Sequence, residues 1–411
     1  MRAQLLGRLG AVRRARRAPI RTAALAAAAS VLLAACSGIG SAEERERSKG
    51  AAAVTAAPVK IAVKPVTGAD AAAPGDKVTV RATGGKLTEV TVRAADTDAF
   101  AGSLSQDRST WTSSARLAPD THYTVLARAE GASGKRISER STFTTAAARD
   151  TFVGEYSPDK GTTVGVGMPV SVTFNKPIRD KAAVERGLTV TASPAVEGAW
   201  SWMKGRDGKD RVDYRPKEFW KPGTKVTLRM SLSGVDAGGG VYGTQQRVVN
   251  FRIGKAVVST VDVKRKTMTV TENGKTLRTL PVSNGKKGYD TWSGTMVVLS
   301  KVRTLRMDSS TVGIFGPEAY DLGEVNWDVQ LTPSGTYAHA APWNEGLFGK
   351  VNASHGCICM STADAKWFYD HVGPGDPVTV VNSAEDTVAV NNGYGDWNVG
   401  WATWAAGSAL T

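Results

Sequence analysis

The chain has 411 residues, 41% of them hydrophobic, and a formal charge of +14, which leaves room for several domains. No basic patch interleaved with aromatics argues for nucleic acid, and beyond the N-terminus no apolar run reaches the roughly 18 residues of a membrane-spanning helix. Three cysteines are too few for a disulfide framework.

Residues 1–35 read as an export leader. Arg2, Arg8, Arg13, Arg14, Arg16, Arg17 and Arg21 precede the apolar run Ala23 to Ala35, which is short for a membrane span. The run ends Leu33-Ala34-Ala35-Cys36-Ser37, which looks like a bacterial lipobox. That likeness implies cleavage before Cys36, lipidation of this residue, and a protein anchored outside the cell membrane and facing the wall. An ordinary signal peptide with an incidental cysteine is the competing reading. The leader's seven arginines make up half the net charge, leaving 45 basic against 38 acidic residues. Such an excess suits a neighbourhood of anionic wall polymers, and equally suits plain solubility. Residues 36–55 lack periodicity and read as a flexible tether.

From Lys60 onward short alternating runs begin, among them Val78-Thr79-Val80 and Val90-Thr91-Val92, bounded by Gly, Pro or Asp. Regular short strands with turn signals predict a β-sandwich over 56–148. Leu117 to Tyr123 has the pattern of a tyrosine corner, which makes the sandwich immunoglobulin-like, with His122 on its surface. A second such domain is predicted over 149–254, with Trp200, Trp202, Phe219 and Trp220 as core or interface residues rather than sugar platforms. Neither sandwich carries a cluster of His, Cys, Asp or Glu, so both read as spacers.

A third, β-rich domain is expected over 255–382, beginning with a hairpin around Lys264-Arg265-Lys266 and a turn at Asn273-Gly274. The Gly-containing stretch Met307 to Gln330 reads as a long connection, either functional or disordered. One helix is predicted from Ala363 to His371, stopped by Gly373-Pro374-Gly375. Residues 383–411, rich in Trp, read as a small C-terminal subdomain packed back on the domain before it. The fold class is thus mainly β, with two immunoglobulin-like sandwiches ahead of a β-rich domain with one helix and a C-terminal subdomain.

The chemistry concentrates in Ser354-His355-Gly356-Cys357 and in His339, 18 residues before the cysteine. A thiol and an imidazole are the minimum set for cysteine-based acyl transfer. His339 is the expected base; His355 is too near Cys357 along the chain for easy side-chain contact if that segment is extended. Gly356 permits a tight turn, and the N–H groups of His355, Gly356 and Cys357 could meet an oxyanion, with Ser354 in support. Nothing calls for a metal or cofactor: a zinc-peptidase His-x-x-x-His motif is missing. In a papain-like protease the cysteine would precede the histidine.

The histidine, the gap and the intact Ser-His-Gly-Cys run together resemble the L,D-transpeptidases, the YkuD-like enzymes of peptidoglycan remodelling. Tyr214-Arg215-Pro216 and the Phe219 to Thr224 run resemble the second immunoglobulin-like domain of their multidomain members. The resemblance implies a lid over Met307–Gln330. It also implies substrate contacts from Met307, Tyr320, Ser334 and Gly335, with Trp343 as a pocket wall. It implies tetrapeptide donor stems, an amine of another stem as acceptor, a 3→3 cross-link, and inhibition by carbapenem β-lactams. Two positions depart from the family pattern. Ala340 stands where Ser often follows the histidine, so only a role of the backbone carbonyl would survive there. Cys359 replaces the usual Asn at a position expected to contact substrate, so donor or acceptor preference depends on it. It is expected to point away from Cys357 as a small buried thiol, or else to form a redox lock. Lys301, Arg303 and Arg306 are candidates to meet stem carboxylates or simply a solvated face. Hydrolysis by the same acyl-enzyme and a non-catalytic wall-binding lipoprotein remain as alternatives.

Overall fold

The computed structural model describes residues 57–94 and 99–411, so the expectations for the leader, Cys36 and the tether lie outside the described residues. Three hydrophobic clusters follow one another along the chain. The first lies between the sheet of strands Lys60–Lys64, Thr79–Thr83, Thr110–Ser113 and Gly102–Leu104 and the sheet of Gly85–Ala94, His122–Gly131 and Arg136–Thr144. Alternation explains it: in His122–Gly131 the inward residues Tyr123, Val125, Ala127 and Ala129 are buried. The tyrosine corner is formed, with the Ala118 amide donating to the Tyr123 hydroxyl at 2.8 Å. His122 is exposed.

Two four-stranded sheets between residues 154 and 253 enclose the second cluster, in which Trp200 and Trp220 are buried and the Trp220 indole donates to Met168 O at 2.7 Å. The third domain packs two sheets around the helix α1 (Thr362–His371). One has the order β3 (Lys275–Pro281), β2 (Thr267–Glu272), β1 (Val257–Asp262), β9 (Pro377–Val381), β4 (Gly294–Val297). The other has the order β5 (Ser300–Asp308), β6 (Asp321–Gln330), β7 (Tyr337–Ala340), β8 (Ile358–Met360). The turn between β2 and β3 is built by Asn273 and Gly274, at φ +50° and +81°, as the dipeptide requires.

The structure corrects two expectations. Much of Met307–Gln330 is regular: β5 and β6 form an antiparallel hairpin, and only its tip, residues 309–320, is irregular. The C-terminal residues also pack well beyond the catalytic domain. Asn398 does bond to both backbone atoms of Thr295, but the final turn lies on the second sandwich. There Gly407 O accepts from the Trp202 amide at 3.0 Å, and the Trp404 indole donates to Ala199 O at 3.0 Å. Glu185 accepts from Ser408 and Ala409.

The Arg215 guanidinium fills the junction, 4.9, 5.5 and 4.8 Å from the rings of Trp397, Trp401 and Trp404, and donates to Val399 O at 2.7 Å. Ring faces are among the few apolar surfaces that favour a partly desolvated cation. Trp404→Ala, which empties a site only 1% exposed, is expected to destabilise the protein by about 3–5 kcal/mol. Guanidinium denaturation would register this; an unchanged midpoint would mean that the C-terminal residues unfold independently of the sandwich.

Candidate active site

Strands β7 and β8 run parallel, with His339 opposite Cys359, and Cys357 sits immediately ahead of β8. Gly356 turns the chain into it at φ +113°, a conformation that L side chains rarely adopt. Ser354 Oγ ties this turn from inside, donating to Cys357 O at 2.6 Å and accepting from the Gly356 amide at 3.2 Å. The Gly356 N–H is therefore engaged, which corrects its expected oxyanion role; its contribution is the turn. Segment 283–286 holds the loop from outside: Ser354 N–H donates to Asn284 O, Ala353 N–H to Ser283 Oγ, and Lys286 N–H to Ser354 O. Asn284 and Ser283 carry no motif, so the sequence offered no signal for them.

His339 is 2% exposed, and its Nδ1 lies 2.8 Å from Ala340 O. A carbonyl only accepts, so Nδ1 carries the proton and Nε2 the lone pair. The backbone carbonyl survives the replacement of Ser by Ala. The Nε2 partner differs from expectation. It is Cys359 Sγ, at 3.5 Å, while the Cys357 thiol donates to Gly335 O at 3.6 Å. Cys359 is buried, as expected, but the expectation that it points away from Cys357 is overturned, since residues two apart on an extended segment share a face. Packed against the imidazole and only 2% exposed, it is also not open to the substrate contact expected of its position.

Desolvation raises the Cys357 pKa to about 11, opposed by the Tyr337 amide. Burial lowers His339 to about 4.

The hairpin tip lies over this centre. Tyr320 packs on His355 with ring centroids 5.0 Å apart, and burial first, then the two cysteines, push its hydroxyl up to about 12. His355 is turned away from Cys357 towards Glu318, whose Oε2 is 2.7 Å from Nε2 and 2.6 Å from Lys286 Nζ. Neither Glu318 nor Lys286 was singled out by the sequence. Gly335, at φ +106°, meets the tip directly, since a Cβ there would stand 2.2 Å from Val312 Cγ1. Ser334 accepts from Asn392 of the C-terminal segment at 2.8 Å. Trp343 is 48% exposed with its ring 6.1 Å from that of His339. Met307 is half-buried on β5, beside the register shift at Arg306/Asp308.

The three basic candidates are taken up elsewhere. Lys301 donates to Tyr369 O and Val372 O at the end of α1, Arg303 lies over Trp327, and Arg306 pairs with Asp321.

Residues 256–380 match the profile of the L,D-transpeptidase catalytic domain, and residues 69–236 that of a bacterial Ig domain, across the two sandwiches. L,D-transpeptidase 2 of Mycobacterium tuberculosis is 38% identical over 334 residues, 81% of this chain and 80% of that protein. The chain belongs to the L,D-transpeptidase family. L,D-transpeptidase 5 of the same organism is 35% identical over 75% of this chain and 68% of its own length. Among solved structures, L,D-transpeptidase 3 of M. tuberculosis, in complex with a faropenem-derived adduct, is 36% identical over 55% of this chain and 96% of that one, with a TM-score of 0.45. The protein is thus an enzyme of the transpeptidase class, mainly β, with Ig-like and catalytic parts.

One buried group of this transpeptidase had no sequence signal. Asp328, on β6, is fully buried, and neither carboxylate oxygen makes a full hydrogen bond. Desolvation lifts its pKa to about 7, against weaker pulls from the Asp328 and Leu305 amides. A carboxyl whose folded-state pKa exceeds its unfolded value supports folding fully below about pH 4, and that support is lost as the pH rises through about 7. Asp328→Asn cannot ionise, so it is expected to raise the thermal midpoint by several degrees at about pH 8 and to change it little at about pH 4. An equal change at both pH values would refute the assignment.

Proposed function

We propose that this transpeptidase forms 3→3 cross-links in peptidoglycan through a thioester on Cys357, with His339 as base. The observation that carries this reading is the contrast between the two thiols: Cys357 is half-buried, whereas Cys359 is only 2% exposed and closed to substrate. With Cys357 raised to about 11 and His339 lowered to about 4, thiol and imidazole are both neutral near pH 7. The proton therefore moves as the sulfur attacks, by general-base catalysis rather than from a preformed thiolate.

Sulfur adds to the carbonyl carbon between the third-position diamino acid of a tetrapeptide donor and its terminal D-alanine. His339 takes the thiol proton and passes it to the departing amine, so D-alanine leaves and the thioester remains. The side-chain amine of another stem then attacks the thioester and loses a proton to His339, which returns it to the sulfur. The His355 and Cys357 N–H groups serve the oxyanion. Tyr320, Ser334, Gly335, Met307 and Trp343 line the donor's path. Carbapenems acylate the same sulfur by opening the lactam ring. We further propose an extracytoplasmic enzyme held to the membrane through lipidated Cys36, on the strength of the leader and Leu33 to Ser37 alone.

Incubation with a disaccharide-tetrapeptide and mass analysis tests the chemistry. Loss of D-alanine with formation of a dimer is expected, abolished in Cys357→Ala and slowed about 10²–10⁴-fold in His339→Ala. Cleavage with no dimer would reassign the enzyme to hydrolysis. No cleavage, together with no mass gain from a carbapenem, would refute the acyl-enzyme.

A further inference from the structure

The lone pair that the reaction needs is already engaged. Parallel pairing sets His339 against Cys359, the Ala340 carbonyl fixes the proton on Nδ1, and Nε2 therefore accepts from the Cys359 S–H at 3.5 Å. The Cys357 thiol, meanwhile, is satisfied by Gly335 O at 3.6 Å. Attack by Cys357 requires Nε2 to exchange one thiol for the other. No relay through both sulfurs is needed, since each thiol has its own acceptor.

Resting on the assignment of Cys357 as nucleophile and His339 as base, we propose that Cys359 is a positioning residue that holds the base in reserve. Its S–H competes with the Cys357 thiol for Nε2, and so sets how readily the nucleophile is activated. Cys359 takes no part in bond making; it acts on the reaction only through the imidazole. The buried pair also keeps the imidazole ring oriented between turnovers, when no substrate fills the site.

Alkylation of Cys357 by iodoacetamide, followed as modification of the Cys357-containing peptide, tests this without any peptidoglycan substrate. Cys359→Ala releases Nε2 and is expected to raise the rate near neutral pH roughly two- to tenfold, the range of one neutral hydrogen bond. It should also move the pH midpoint down. Cys359→Ser keeps a donor on Nε2 and is expected to react no faster than the parent, whereas a packing role would make the two small replacements behave alike.

Other titrating groups face the thiols: Asp328 from β6, Tyr337 from β7 and Tyr320 from the hairpin tip. The shift should therefore persist in an Asp328→Asn background. Thermal melting confirms that each variant is folded. If Cys359→Ala is no faster than the parent, or if Cys359→Ser accelerates equally, the proposal is overturned. If His339→Ala leaves the rate unchanged, the failure lies in the assignment of the base instead.

Discussion

The parallel pairing of Tyr337–Ala340 with Ile358–Met360 is the constraint on which the centre depends. Parallel neighbours need a long connection, and residues 341–357 supply it; that connection ends in the Gly356 turn that presents Cys357. The pairing buries His339, directs Nδ1 to a carbonyl of its own strand, and leaves Nε2 facing the adjoining strand. Every later feature of the site follows from this register. A slip of one residue would turn the imidazole to the other face of the sheet.

Around this pair the protein uses backbone and hydroxyl groups rather than charges to hold shape. The Ser354 hydroxyl closes the turn, the 283–286 segment supports it, and the Ala340 carbonyl sets the tautomer. Such neutral contacts place no fixed cation beside the Cys357 thiol among the described residues, and desolvation dominates the ionisation of the thiol and of the imidazole alike. Besides the buried Asp328 carboxyl, charge enters at the rim, where Glu318 joins the hairpin tip to His355 and Lys286. This rim pairing is exposed enough for water and salt to weaken it, which suits a segment over a site that must admit substrate.

The domains are joined more tightly than a chain of spacers would be. Residues 383–411 leave β9, touch β4 through Asn398 and finish on the second sandwich, with Arg215 enclosed by three tryptophans. Through Asn392 the same segment reaches Ser334 at the site's edge. The second sandwich is therefore continuous with the loop that carries Gly335, the acceptor of the Cys357 thiol.

Much of this was legible in the chain because it depends on local physics. Alternation marked the strands, Asn273-Gly274 the turn, Gly373-Pro374-Gly375 the helix end, and the spacing of His339 and Ser354 to Cys357 the chemistry. The tyrosine corner is similarly local, since its donor and acceptor are five residues apart. Other features depend on partners distant in sequence, and no periodicity encodes them. Lys301 and Arg303 look like substrate ligands in one dimension but cap a helix and cover a tryptophan in three. Asp328 reads as an ordinary strand polar residue until the sheet buries it. By itself the sequence determined the fold class and singled out the thiol and the imidazole proposed as nucleophile and base. Only the tertiary structure decided which thiol that base contacts, because strand register places His339 Nε2 on Cys359.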